Sequence, residues 1–101
     1  MPIVLASSSS VYGDRDDGAA FSEDDPLAAP ASPYAASKRA MEGLAGRVPA
    51  DVRVARLFTV VGARQRPNMA LARFVEALRA GRPAPVYGDP SCARDYLHVA
   101  D

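Results

Sequence analysis

Tyr34 and Lys38 stand four residues apart in the stretch SPYAASKRA, just after a proline. A free phenol titrates at about pH 10 and is a poor base at neutral pH. A neighbouring ammonium stabilises the phenolate and makes tyrosine a usable proton acceptor. On a helix, residues i and i+4 share one face, so the spacing suits that chemistry. The same spacing also occurs between any two residues of a surface helix. The second group is a run of serines, Ser7 to Ser10, directly after the apolar stretch PIVLA. In open α/β sheets ligands bind at the C-terminal ends of the strands, where a serine hydroxyl can hydrogen-bond a substrate oxygen. A serine run alone is more often a polar loop. A serine run after a strand, followed one loop later by a capped helix bearing Y-x-x-x-K, is a much rarer coincidence.

The elements that must hold these groups follow from the local pattern. PIVLA (Pro2 to Ala6) is short and continuously apolar, which predicts a fully buried parallel strand. Residues 13–31 are rich in Gly, Asp and Pro and show no periodicity, which predicts a long surface loop. Ser32 is the expected N-cap of a helix with Pro33 at its first position, running to about Val48 before Pro49. VRVARLF (Val52 to Phe58) predicts a second buried strand, and TVVGARQRP a loop. NMALARFVEALRAG predicts an amphipathic helix, capped by Asn68 and stopped at Gly81. APVYG reads as a short strand and ARDYLHVAD as a strand or turn.

Strand, loop, helix, strand, loop, helix is an α/β order with a parallel sheet. Two such strands leave apolar edges exposed, a hazard for an isolated sheet. The chain has 101 residues, 49% of them hydrophobic and 24% charged, so it reads as globular. Twelve basic and twelve acidic residues cancel, so no net field favours nucleic acid or an anionic membrane. No apolar run approaches the roughly 18 residues of a membrane span. Cys92 is the only cysteine and has no activating neighbour; no His/Cys cluster offers a metal site, so none is expected. These points predict a cytoplasmic protein.

Four stretches in order, LASSSSVYGD, FSEDDPLAAPASPYAASKRAMEGLA, RVARLFTVVGARQRPNMALARFVEAL and PVYGDPSCARDYLHVAD, resemble the NAD-dependent epimerase/dehydratase family. These are extended short-chain dehydrogenases acting on nucleotide sugars, and the resemblance runs over essentially the whole chain. It implies NAD as cofactor, a nucleotide-diphosphate sugar as substrate and a homodimer, with no nucleic acid or membrane partner. It implies that Tyr34 takes the proton of the sugar 4-hydroxyl, that Lys38 holds the nicotinamide ribose and tunes Tyr34, and that Ser8 hydrogen-bonds the reacting oxygen. Tyr34, Lys38, Leu57, Phe58 and Val60 would line the cofactor. Ser8, Ser9, Thr59, Arg66, Tyr87 and Arg94 would face the substrate, with Tyr87 on the nucleotide base and Arg94 on the diphosphate. Arg66 suits either a sugar carboxylate or a solvated loop. Asp95 and His98 are expected to be structural. The stretch FTVVGARQRPNMALARF is most similar to the family's UDP-glucuronate 4-epimerases, although Asn68 stands where their R-P-D-M-A pattern has aspartate. The implied reaction is transient oxidation at C4 and hydride return.

Dehydratases of the family place an acidic pair beside the catalytic Ser/Thr, where this chain has Ser9 and Ser10; a 4,6-dehydratase, a decarboxylase and an inactive remnant or interaction fragment are the alternatives. No G-x-x-G-x-x-G occurs in the 101 residues. The segment after Lys38 is shorter than usual by about one helical turn, roughly 3.6 residues. The expectation is therefore one partial domain over residues 1–101, holding the catalytic Ser and YxxxK part and the start of the substrate region. In fold terms it is the central-to-C-terminal part of a Rossmann-like doubly wound parallel sheet with its N-terminal cofactor-binding strands missing. Alone, such a chain is expected to be inactive.

Overall fold

Ile3–Ser8 forms strand β1, and it runs parallel to β2, Val52–Leu57, in a register from Ile3 beside Val52 to Ser8 beside Leu57. Parallel neighbours need a crossover, and helix α1, Pro33–Ala45, lies in it. The structure, a computed structural model, describes residues 1–101 and divides into two units, Met1–Leu57 and Phe58–Asp101.

In the first unit α1 starts as its residues require. The Ser32 hydroxyl accepts a hydrogen bond from the Ala35 backbone N–H at 3.1 Å, with Pro33 at the first position. The helix ends at Ala45, earlier than the expected Val48, because Gly46 takes the cap and its N–H closes on the Glu42 carbonyl. The serines do not form an open loop. Ser9–Val11 winds into a 3₁₀ turn, capped by the Ser8 side chain, which buries Val11 and Tyr12. Ala35 of α1 and Ser7 of β1 complete this small core. Residues 13–31 carry no helix or strand. Arg15 ties them locally, donating to the Ala20 carbonyl at 2.8 Å and pairing with Asp25 at 3.1 Å. Phe21 stacks on Tyr12 with ring centres 4.8 Å apart.

In the second unit the TVV stretch, expected in a loop, is strand β3, Thr59–Val61. Its β-branched residues find a parallel partner in β4, Tyr96–His98, a long-range pairing that no local pattern announces. Helix α2 spans Ala70–Arg79; Met69, not Asn68, occupies its N-cap position and makes no side-chain cap bond. Gly81 has φ 65° and follows the helix as expected. APVYG forms no strand.

Two expectations about the sheet are corrected. The strands do not make one doubly wound parallel sheet; they make two separate two-stranded parallel sheets, β1–β2 and β3–β4. Nor is β1 fully buried: Val4 is 69% exposed. A two-stranded sheet with a single helix against it leaves too little surface covered to bury a whole apolar strand.

Candidate active site

The C-terminal end of the β1–β2 sheet collects the hydroxyls and the lysine. Ser8 ends β1 beside Leu57, the last residue of β2. Ser9 opens the 3₁₀ turn. The Ser8 hydroxyl oxygen accepts two hydrogen bonds, from the Ser10 N–H at 3.2 Å and the Ser10 hydroxyl at 3.0 Å. With its lone pairs so engaged, the Ser8 proton remains available for an outside acceptor.

Lys38 reaches the same strand end from α1. Its Nζ donates to the Ala6 carbonyl oxygen at 2.9 Å and lies 5.7 Å from the centre of the Tyr34 ring. Tyr34, one turn earlier, is 56% exposed, and its backbone carbonyl accepts from Ser37 Oγ at 2.8 Å. The first unit thus gathers Ser8, Leu57, Tyr34 and Lys38 around the ends of two strands and the first turns of one helix. α1 packs against β1, the 3₁₀ turn and β2, which holds that arrangement.

The remaining candidates lie in the second unit. Thr59 and Val60 are on β3, paired with Tyr96 and Leu97, and Phe58 immediately precedes them. Tyr87 accepts a hydrogen bond at its hydroxyl from Arg73 Nη2 at 3.0 Å, and the Arg73 guanidinium lies 5.2 Å from its ring centre. Arg66 and Arg94 are exposed in separate loops. His98 uses Nδ1 to accept from the Ala100 N–H at 3.3 Å.

A further cluster escaped the sequence reading. Arg56, on β2 beside Ser7, forks onto Glu42 of α1: Nε lies 3.1 Å from Oε1 and Nη2 lies 3.0 Å from Oε2. Its Nη1 donates to Tyr12 Oη and to the Glu23 carbonyl, both at 3.1 Å. The side chains of Arg56 and Glu42 are only 20% and 11% exposed. Burial works against the charge on Glu42, but bonds from Arg56 and contact with the Ser7 hydroxyl outweigh it and hold the carboxyl below its ordinary range. The bonds to Glu42 and Tyr12 push the Arg56 guanidinium up. The Ser7 Oγ faces Glu42 without a hydrogen bond of good geometry. The available signal was an arginine inside an alternating strand and a glutamate one turn beyond Lys38; buried charges require partners.

Residues 2–101 match the model of the NAD dependent epimerase/dehydratase family. A Rhizobium meliloti protein described as a probable UDP-glucuronate 4-epimerase is 39% identical over 103 residues, covering 98% of this chain and 30% of that protein. A dTDP-glucose 4,6-dehydratase of Streptomyces griseus is 41% identical over 102 residues, covering 97% of this chain and 30% of that protein. Among solved structures, the UDP-glucuronic acid 4-epimerase of Bacillus cereus, in complex with UDP-glucuronic acid and NAD, superposes with a TM-score of 0.84. It is 33% identical, with 98% of this chain and 32% of that chain covered.

Proposed function

We infer the function from the family to which the chain belongs, the NAD-dependent epimerases/dehydratases, whose cofactor is NAD; the chain spans about 30% of the length of the curated relatives it matches. The family match begins at residue 2, so β1 is the first strand of the matched α/β Rossmann-like region. This corrects the expectation of a central-to-C-terminal part that lacks its N-terminal strands. We propose that the full-length protein carrying this chain is a nucleotide-sugar 4-epimerase with UDP-glucuronate as substrate. The observation that carries the reading is Lys38, anchored on the Ala6 carbonyl beside the Tyr34 ring at the end of β1.

The residues fit NAD. An ammonium has three N–H donors. The Ala6 carbonyl takes one, which leaves donors for the hydroxyls of a ribose, with the exposed Tyr34 phenol adjacent. The chemistry supplied by the bound dinucleotide is reversible acceptance of a hydride from the sugar C4. In this reading Tyr34 accepts the proton of the C4 hydroxyl as the C4–H bond breaks, and returns it when that bond re-forms on the opposite face. Lys38 holds the phenolate by charge and fixes the ribose. Ser8, its oxygen already accepting from Ser10, donates a hydrogen bond to the reacting sugar oxygen and keeps its proton. Leu57, with Phe58 and Val60, lines the nicotinamide. Ser9 and Thr59 neighbour the sugar. Tyr87 packs on the base, Arg94 binds the diphosphate and Arg66 meets the sugar carboxylate. The catalytic part then lies in residues 1–57, and the substrate region starts in residues 58–101. We extend the reading to a cytoplasmic homodimer through α1, where Leu44 is exposed.

The matched dehydratase supports a second reading, a 4,6-dehydratase acting on a nucleotide-linked glucose. Hydroxyls at Ser9 and Ser10, and the use of Ser10 as a donor to Ser8, favour the epimerase, since elimination requires an acid there. Incubation of the full-length protein with UDP-glucuronate, followed by proton NMR, should yield the C4 epimer with no net reduction of NAD. No epimer, together with a 4-keto-6-deoxy product from dTDP-glucose, would reject the epimerase in favour of the dehydratase.

A further inference from the structure

Tyr34, Lys38 and Glu42 occupy successive turns of one stripe of α1, and Glu42 is the member that the family reaction leaves without a task. Its carboxylate is gripped by both sides of the Arg56 fork. Arg56 is rooted in β2 beside Ser7, one residue before the Ser8–Leu57 pair that closes the sheet. The same guanidinium binds Tyr12 just past the 3₁₀ turn of the serines and the Glu23 carbonyl in the long loop, and it lies 4.9 Å from the centre of the Tyr12 ring. One side chain therefore joins four segments: β2, α1, the serine turn and the loop. Two of these carry the proposed catalytic groups.

We infer that Arg56 is a positioning residue: by locking Glu42 and Tyr12 together it fixes the rotation of α1 against the end of β1, so that Lys38 reaches the Ala6 carbonyl and the Tyr34–Lys38 pair faces Ser8's strand end. The geometry supports this over simple adhesion. Ala35 is the one buried residue of α1, so apolar packing by itself leaves the helix freedom to roll about its axis. A contact at Glu42, one turn beyond Lys38 on the same stripe, removes that freedom at the stripe that matters. A planar fork with five donors is suited to the task, and here they reach a carboxylate, a phenol oxygen and a carbonyl. A lysine at the same place has the charge without the fork.

The inference rests on Tyr34 and Lys38 doing the proton chemistry, so its test needs a readout that does not depend on turnover. Lys38 is the sole lysine of the chain, which makes its acylation easy to follow in the corresponding peptide by mass spectrometry. In the full-length protein, Arg56→Lys should lower kcat by about tenfold while KM for the nucleotide sugar stays within about twofold, as expected when alignment and not binding is lost. Lys38 should then acylate several times faster, because its bond to Ala6 is loosened. Glu42→Gln, nearly isosteric and less disruptive, should move both readouts in the same direction by a smaller factor. The inference is overturned if either variant folds cooperatively and leaves Lys38 acylation unchanged, whatever happens to kcat. It is equally overturned if kcat falls only in proportion to the lost folded fraction, with KM unchanged. If Tyr34→Phe retained turnover, the catalytic reading would fail, while the acylation result would still decide the role of Arg56.

Discussion

The two units of this chain are similar in plan, each a pair of parallel strands with a helix between them in sequence, yet they are held together differently. In residues 1–57 side chains bridge distant segments: Lys38 to Ala6, and Arg56 to Glu42, Tyr12 and Glu23. In residues 58–101 the strands are three residues long, and the side-chain bonds are exposed and few, such as Arg73 to Tyr87. Charged groups that are largely desolvated and geometrically matched specify one arrangement; exposed pairs hardly constrain it. The unit that carries Tyr34 and Lys38 is the one in which polar side chains fix a helix against a sheet.

Removing the Arg56 side chain tests that contrast most severely. Arg56→Ala leaves Glu42 with a buried and unpaired charge and should destabilise the first unit by about 2–3 kcal/mol, between an exposed and a fully buried pair. Thermal unfolding measures it, and pH identifies the partner. Because the Glu42 carboxyl is held below its ordinary value, the contribution of the pair is complete above about pH 4.3 and is lost as pH falls through the lower folded value. That acid-side loss should disappear in Arg56→Ala.

Gly62 tests the second unit. It has φ 151°, and a Cβ there would overlap Val99 Cγ1. Gly62→Ala should cost about 2 kcal/mol through this clash. It should speed hydrogen exchange at the Val99 N–H, which bonds the Val61 carbonyl at 2.8 Å. Slow, unchanged exchange would show that the β3–β4 end tolerates the methyl. The smallest effect is expected at Arg73. Its partner Tyr87 is 74% exposed, so Arg73→Ala should cost under about 1 kcal/mol. A larger loss would mean that the two units are not held so differently.

Local chemistry made much of the first unit legible in the sequence. Ser32 and Pro33 announced the start of α1, and PIVLA and VRVARL announced the strands. Spacing put Tyr34 and Lys38 on one face. What was not legible depends on contacts far along the chain. β3 needs β4, and without that partner TVVG looks like the start of a loop. Element order implied a parallel sheet and the family resemblance a doubly wound one, and neither says which of these strands pair. APVYG had strand-like composition but no partner. Arg56 and Glu42 are 14 residues apart, and neither residue type by itself signals a buried pair. The lysine's anchor on Ala6 lies 32 residues away and is likewise invisible to local spacing.

The most direct test of the account is Tyr34→Phe in the full-length protein, with turnover of UDP-glucuronate, retained NAD and melting temperature measured together. Tyr34 is exposed, and the hydroxyl is the atom assigned the chemistry. Turnover should fall by about 10²–10⁴-fold, the usual weight of a positioned acid–base group, with NAD retained and melting temperature unchanged. Turnover close to that of the unsubstituted protein, with the same NAD content, would contradict the assignment of Tyr34 as proton acceptor.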